Sequence, residues 1–174
     1  MRIPGYWFEK KGVDIAIGTP PRPGEKVLYS LHGGAFTKHS AHPGNIISVL
    51  RHGLLKHTRS VERLFNIEYR LASRDTVGVS VNPLPAQLLD AVAGYEYLVR
   101  TVGFAPEQII LLGDSAGASL ALGLVRYVLE RSAAGDTDLP GVPAGLVLCS
   151  PWVDMAQRAY DPVSSAIEIG RAHV

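Results

Sequence analysis

A single cysteine, Cys149, occurs in the 174 residues, so an intrachain disulfide is excluded and a thiolate zinc site has too few ligands. It ends the run Gly145-Leu146-Val147-Leu148-Cys149, where it reads as a small buried strand residue. No stretch approaches the ~18 consecutive apolar residues that a membrane-spanning helix needs. The opening Met1-Arg2-Ile3-Pro4-Gly5-Tyr6-Trp7 holds no apolar run of signal-peptide length. An excess of either charge is also missing. With 17 Lys+Arg against 16 Asp+Glu the net charge is +1, which gives no electrostatic reason to expect nucleic acid or an acidic partner. Internal repeats are absent. What is present is 47% hydrophobic and 19% charged residues, a composition that fits one globular domain with a real core and argues against disorder.

The pattern along the chain alternates strands and helices. Tyr6 to Glu9 and Val13 to Ile17 flank Lys10-Lys11-Gly12 and predict a hairpin. Thr19-Pro20-Pro21-Arg22-Pro23-Gly24 marks a loop. Val27 to Leu31 is a compact apolar strand. Asn45 to Thr58 is predicted helical, with Ile46, Ile47, Leu50 and Leu54 inward and the basic residues from Arg51 to Arg63 as the wet face. Lys56 and His57 fall at its C-terminal end, where they suit the helix dipole. Val61 to Ile67 is a strand with Val61, Phe65 and Ile67 on one face. Pro85 to Val102 is a helix with Leu88, Val92, Tyr95 and Val99 at 4-3-4 spacing. Ile109 to Leu112 is a buried strand, Ser115 to Arg131 a helix, Ser132 to Pro143 a loop and Ala144 to Cys149 a strand. The fold class expected is α/β, a mostly parallel sheet with helices on both faces.

Two motifs carry chemistry. Gly113-Asp114-Ser115-Ala116-Gly117 is a G-x-S-x-G sequence directly after an apolar strand and at the start of a helix, the context that gives the pattern meaning. A strand turning sharply into a helix strains the central residue, and side chains at Gly113 or Gly117 would collide with neighbouring elements. Ser115 is thereby lifted to a helix N-terminus, where a developing anion is favoured. The bland alternative is an N-capping serine at a glycine-softened junction. The second motif, His32-Gly33-Gly34-Ala35-Phe36, follows the strand Val27 to Leu31. Its glycines let backbone N–H groups approach a carbonyl oxygen on which charge builds during acyl transfer. The oxyanion donors expected are the amides of Gly33, Gly34 and Ala116. An ordinary Gly-Gly turn is the alternative there.

Together the motifs resemble those of the hormone-sensitive-lipase-like family of α/β-hydrolases, with its H-G-G-G/A loop and G-D-S-A-G elbow. Glu68-Tyr69-Arg70-Leu71-Ala72 is similar to the family's Y-R-L-A-P segment, Pro85 to Ala91 to the helix after it, and Ser150-Pro151-Trp152-Val153-Asp154 to the segment that follows the next strand. The resemblance runs from about Val27 to Met155. It implies Ser115 as nucleophile of a carboxylic ester hydrolase acting on a small-molecule or lipid ester, with no metal or organic cofactor. His32 is implied as a loop organiser, not a base, and Asp114 as orienting the elbow. Ala35 replaces the third glycine and keeps its N–H. Ser73 stands where proline is usual, and the loop to Pro83 is longer than expected. His39 and His42 read as loop residues near the mouth, with no carboxylate at ligand spacing. Asp90 reads as a solvated or capping helix residue.

A serine hydrolase also needs a base and an acid to orient it, following the nucleophile in the order Ser, Asp/Glu, His. Asp154, Asp161 and His173 occur in that order, but only one strand separates the elbow helix from them, fewer than the family pattern places there. Residues 168–174 resemble an in-frame translation of a common sequencing-library adapter. The expectation is therefore a partial α/β-hydrolase domain over 1–167, an incomplete fold whose acid and base lie beyond the chain, and which alone is nearly inactive and exposes apolar surface. Amide or formamide hydrolysis, acyl transfer, or a ligand receptor with a decayed triad are the alternatives on the same site.

Overall fold

The computed structural model describes residues 2–153. Its centre is a five-stranded sheet in the order β1-β3-β2-β6-β7, where β1 is Gly5–Glu9, β2 Lys26–Leu31, β3 Val61–Ile67, β6 Ile109–Asp114 and β7 Gly145–Cys149. The pairs β3-β2, β2-β6 and β6-β7 are parallel; β1 runs antiparallel on β3. A two-stranded hairpin, β4 (Ser73–Arg74) and β5 (Ser80–Val81), stands apart. Helices cover both faces, as expected for parallel strands that are apolar throughout. On one face Val27, Tyr29, Leu31, Phe65 and Leu111 pack with Tyr95 of α2 (Ala86–Glu96) and with Leu120, Leu124 and Val128 of α3 (Ala116–Ala133). On the other, Phe8, Leu28, Leu64 and Leu112 pack with Leu55 of α1 (Val49–His57).

Several local expectations are overturned. No strand forms over 13–17. The edge of β3 already pairs β1 from Gly5↔Ile67 to Glu9↔Arg63, and the following segment instead ties back through the Ile15 N–H to the Glu9 carboxylate (3.0 Å). Val61 does not share a face with Phe65 and Ile67. Lys26 pairs Val61 while Val27 pairs Arg63, so Glu62 is an extra residue in the ladder, and such a bulge inverts the alternation. Val61 therefore joins Leu64 on the α1 side.

The wet face assigned to the stretch from Arg51 to Arg63 is also wrong at both ends. In α1 the inward residues are Ser48 (its cap), Arg51 and Leu55, while Ile46 and Val49 are 78% and 71% exposed. Arg63 lies buried on β3, bonded to Glu25 (2.8 Å) and the Thr19 carbonyl and set against the rings of Trp7 and Phe104. Asp90 is neither solvated nor a cap. It is buried on α2 and holds Arg70 with both oxygens (2.7–3.1 Å), accepting the Arg70 N–H as well. The helix expected to reach Val102 does so, but its last part, Tyr97–Val102, widens into a π-helix that Gly103 ends at φ +95.

Candidate active site

The two glycine motifs meet because β2 and β6 are neighbours, with Leu31 opposite Gly113. Each motif leaves the carboxyl end of its strand, the edge at which open α/β sheets bind ligands. After Asp114 the chain reverses into α3 through Ser115 at φ 52, ψ −118, a region that L-residues rarely occupy and that clusters at functional sites. The bend is held by the Ser115 N–H on the Cys149 carbonyl (2.9 Å) and the Trp152 N–H on the Ser115 carbonyl (3.2 Å). Ser115 is exposed, and its hydroxyl makes no capping hydrogen bond to α3, so the capping alternative has no support.

Both elbow glycines are sterically required. A Cβ on Gly113 would lie 2.5 Å from the Gly117 carbonyl and the Ala118 Cα; one on Gly117 would lie 2.1 Å from the Leu31 carbonyl. The second of these clashes is with the strand leading into the oxyanion loop, so Gly117 sets how closely the two motifs approach.

In that loop Gly34, Ala35 and Phe36 all have positive φ (118, 53 and 62), and the Thr37 and Lys38 N–H groups close the turn on the Gly34 carbonyl at 3.0 Å. The Gly33 N–H, expected among the oxyanion donors, points instead to Asp114 Oδ2 at 3.1 Å. Among the described residues the N–H groups of Gly34 and Ala35 donate to nothing, and both residues reach the surface whereas Gly33 is buried. Asp114 does more than orient the elbow. Its Oδ2 holds Gly33 while its Oδ1 pairs with the guanidinium of Arg51, joining elbow, loop and α1. Sequence reasoning missed Arg51; the available clue was Asp114 itself, a largely covered carboxylate that needs a nearby cation.

His32 is fully buried and its ring stacks on Tyr69 at 4.2 Å. The Tyr69 hydroxyl donates to the His32 carbonyl (2.5 Å), and burial raises that phenol above its ordinary range. His32 Nδ1 lies 2.7 Å from the Gly33 carbonyl; since a carbonyl can only accept, Nδ1 carries the proton. Nε2 is buried with no partner among the described residues. A second proton there would find no described acceptor, and burial lowers the His32 pKa below 6.5. The unfolded chain thus binds the proton at higher pH than the folded one, and stability is lost as pH falls below about 6.5 toward the folded value. Denaturant midpoints measured between pH 8 and 5 are expected to drop more steeply for wild type than for His32→Phe; parallel profiles would contradict this.

His39 and His42 lie in the loop beyond, His42 Nδ1 accepting the Gly44 N–H at 3.0 Å. Among the described residues no group of three or more His, Cys, Asp or Glu could hold a metal ion, and no helix is long and apolar enough to cross a membrane. Asp154, Asp161 and His173 lie outside the described residues.

A mostly parallel sheet with a strained serine elbow beside a glycine loop is the arrangement of an α/β-hydrolase fold. A profile of the alpha/beta hydrolase fold matches residues 28–172, and the chain belongs to that family. It is 35% identical over 153 residues to esterase LipU of Mycobacterium tuberculosis, covering 82% of this chain and 41% of that protein. The crystal structure of a hormone-sensitive lipase from a metagenome library superposes with a TM-score of 0.57 at 31% identity, over 88% of this chain and 46% of that one. An esterase/lipase from an uncultured bacterium gives 0.60 at 26%, over 98% and 50%. The chain thus spans half or less of the length of these relatives.

Proposed function

We propose that the whole protein hydrolyses carboxylic esters through an acyl-enzyme, with Ser115 as nucleophile. The observation that carries this reading is an exposed, strained Ser115 beside the amides of Gly34 and Ala35, which donate to no described residue. A base takes the Ser115 proton as Oγ bonds to the acyl carbon, and the carbonyl oxygen becomes an oxyanion. The N–H groups of Gly34, Ala35 and Ala116 stabilise it, the last at the positive end of α3. Gly33, whose amide serves Asp114, orders the loop instead of donating. The tetrahedral intermediate collapses, the alcohol leaves with the proton, and water repeats the sequence to release the acid and restore Ser115. Base and orienting carboxylate are assigned outside the described residues, because no described histidine bonds the Ser115 hydroxyl.

A cavity of about 470 Å³ adjoins the oxyanion loop, lined by Thr37, Ala72, Arg74, Ser80 and Val81 among others. Short to medium acyl chains are the substrates proposed for the whole protein. A smaller, more apolar cleft between Trp7, Phe65 and Tyr97 contains no residue of either motif. Turnover of p-nitrophenyl esters by the full-length protein is expected to peak between butyrate and octanoate, exceeding that of matched amides, and a fluorophosphonate is expected to label Ser115. Preferential amide turnover, or labelling elsewhere, would overturn the proposal.

A further inference from the structure

Arg51 is 0% exposed, and a guanidinium is retained in a core only when its donors are satisfied and its charge is matched. Three of its four hydrogen bonds bear on the site. Nε donates to Ser30 Oγ (2.9 Å) and Nη2 to the Leu31 carbonyl (3.3 Å), both at the end of β2 where the oxyanion loop departs. Nη1 returns to the Ile47 carbonyl at 3.2 Å, in the short 3-10 turn (Ile46–Ser48) that leads into its helix. Nη2 also pairs with Asp114 Oδ1, one residue before Ser115. The other oxygen of that carboxylate holds the Gly33 N–H. One cation therefore fixes the carboxylate that ties the nucleophile's strand to the loop whose next two amides donate to no described residue.

We infer that Arg51 is a positioning residue for the oxyanion hole: through Asp114 it sets where the Gly34 and Ala35 amides stand relative to Ser115. It touches neither substrate nor reacting atoms. With Arg51 removed, Asp114 is a carboxylate without its cation beside a carbonyl-rich strand end, and it is expected to turn toward water and release Gly33. The amides then lose their fixed aim, which matters more for the transition state than for substrate binding. A merely structural arginine would change the folded fraction and leave each folded molecule as active as before.

The inference rests on the ester-hydrolase reading, and the experiment separates the two. Arg51→Met, Arg51→Lys, Asp114→Asn and the Arg51→Met/Asp114→Asn double variant are made in the full-length protein. Each is titrated for active sites, and kcat, KM and Tm are measured on a p-nitrophenyl ester. Losing one oxyanion donor costs ~10²–10³ in kcat; misplacing two by a fraction of that reach is expected to lower kcat per titrated site by about 30-fold with KM little changed. Lysine should recover most of the loss by keeping the charge. The double variant should be no worse than the poorer single, because both act through one contact. If Arg51→Met does not fold, the lysine and asparagine variants carry the comparison. Unchanged kcat per titrated site, or losses that multiply in the double variant, would overturn the inference while leaving the ester-hydrolase reading intact. Absence of ester turnover in wild type defeats that reading instead. Hydrogen exchange of the Gly33 amide then decides: faster exchange in Arg51→Lys or Asp114→Asn at unchanged global stability supports the linkage, and unchanged exchange refutes it.

Discussion

Ser115→Ala in the full-length protein is expected to lower kcat for ester hydrolysis about a millionfold, the scale seen when a serine hydrolase loses its nucleophile. The fold should hardly notice. The residue is exposed and caps no helix, so the unfolding free energy should stay within the range of ordinary surface substitutions, roughly ±0.5 kcal/mol. Backbone strain supplies a second, independent check. At φ 52, ψ −118 any residue with a Cβ is disfavoured, whereas glycine is not, so Ser115→Gly should be more stable than Ser115→Ala by about 1 kcal/mol or more. The pair separates chemistry from geometry: both variants are inactive, and only glycine relaxes the bend. A substantial residual rate in Ser115→Ala, unaffected by a fluorophosphonate, would remove Ser115 from the mechanism. Equal stability of the two would mean that the bend carries no strain.

The parts of this architecture legible in sequence are those set by short-range constraints. Ile109 to Leu112 is four apolar residues running into Gly-Asp-Ser-Ala-Gly, and only a buried parallel strand turning into a helix accommodates both halves. The strands of β2 and β7 were readable for the same reason. Where a charge sits inside the core, periodicity misleads. Arg51 and Asp90 lie on helices and Arg63 on a strand, and the pattern places all three in water or near it because hydrophobicity has no term for a partner 20, 38 or 63 residues away. The pairs Arg51–Asp114, Arg63–Glu25 and Arg70–Asp90 satisfy each of them. Glu62 shows another limit. A single bulge residue moves Val61 to the opposite face of β3 from the one that strict alternation assigns. The Gly33 amide shows a related limit: Gly-Gly announces that the backbone comes close, but that this N–H is taken by the Asp114 carboxylate depends on where Asp114 sits.

Gly117→Ala is expected to be among the most damaging conservative changes in the chain, and the helix containing it provides the control. Intrinsic propensity favours alanine over glycine in a helix interior by about 1 kcal/mol, and neither Gly117 nor Gly123 of α3 has a positive φ that would require glycine. Propensity alone therefore predicts stabilisation at both. Space decides otherwise at the first. The new Cβ would stand 2.1 Å from the Leu31 carbonyl and 2.6 Å from that of His32, both backbone atoms of β2 and its loop, whereas at Gly123 the nearest atom is the flexible Leu88 Cδ1 at 3.7 Å. Relief at Gly117 means moving α3 off β2 by more than 1 Å (3.4 Å being ordinary contact), and overpacking of this kind costs about 1–3 kcal/mol, sometimes more. After the propensity gain is subtracted, Gly117→Ala should still lose about 1 kcal/mol or more, while Gly123→Ala should gain a few tenths or more. The displacement also carries Ser115, at the start of α3, away from Gly34 and Ala35, so kcat per folded molecule should fall by at least about tenfold at Gly117, since 1 Å misplacements reach ~10²-fold, and not at all at Gly123. Thermal unfolding and active-site titration of the two variants read both effects, and a Gly117→Ala protein as stable and active as Gly123→Ala would show that the elbow and the oxyanion loop are not in the contact on which the proposed chemistry depends.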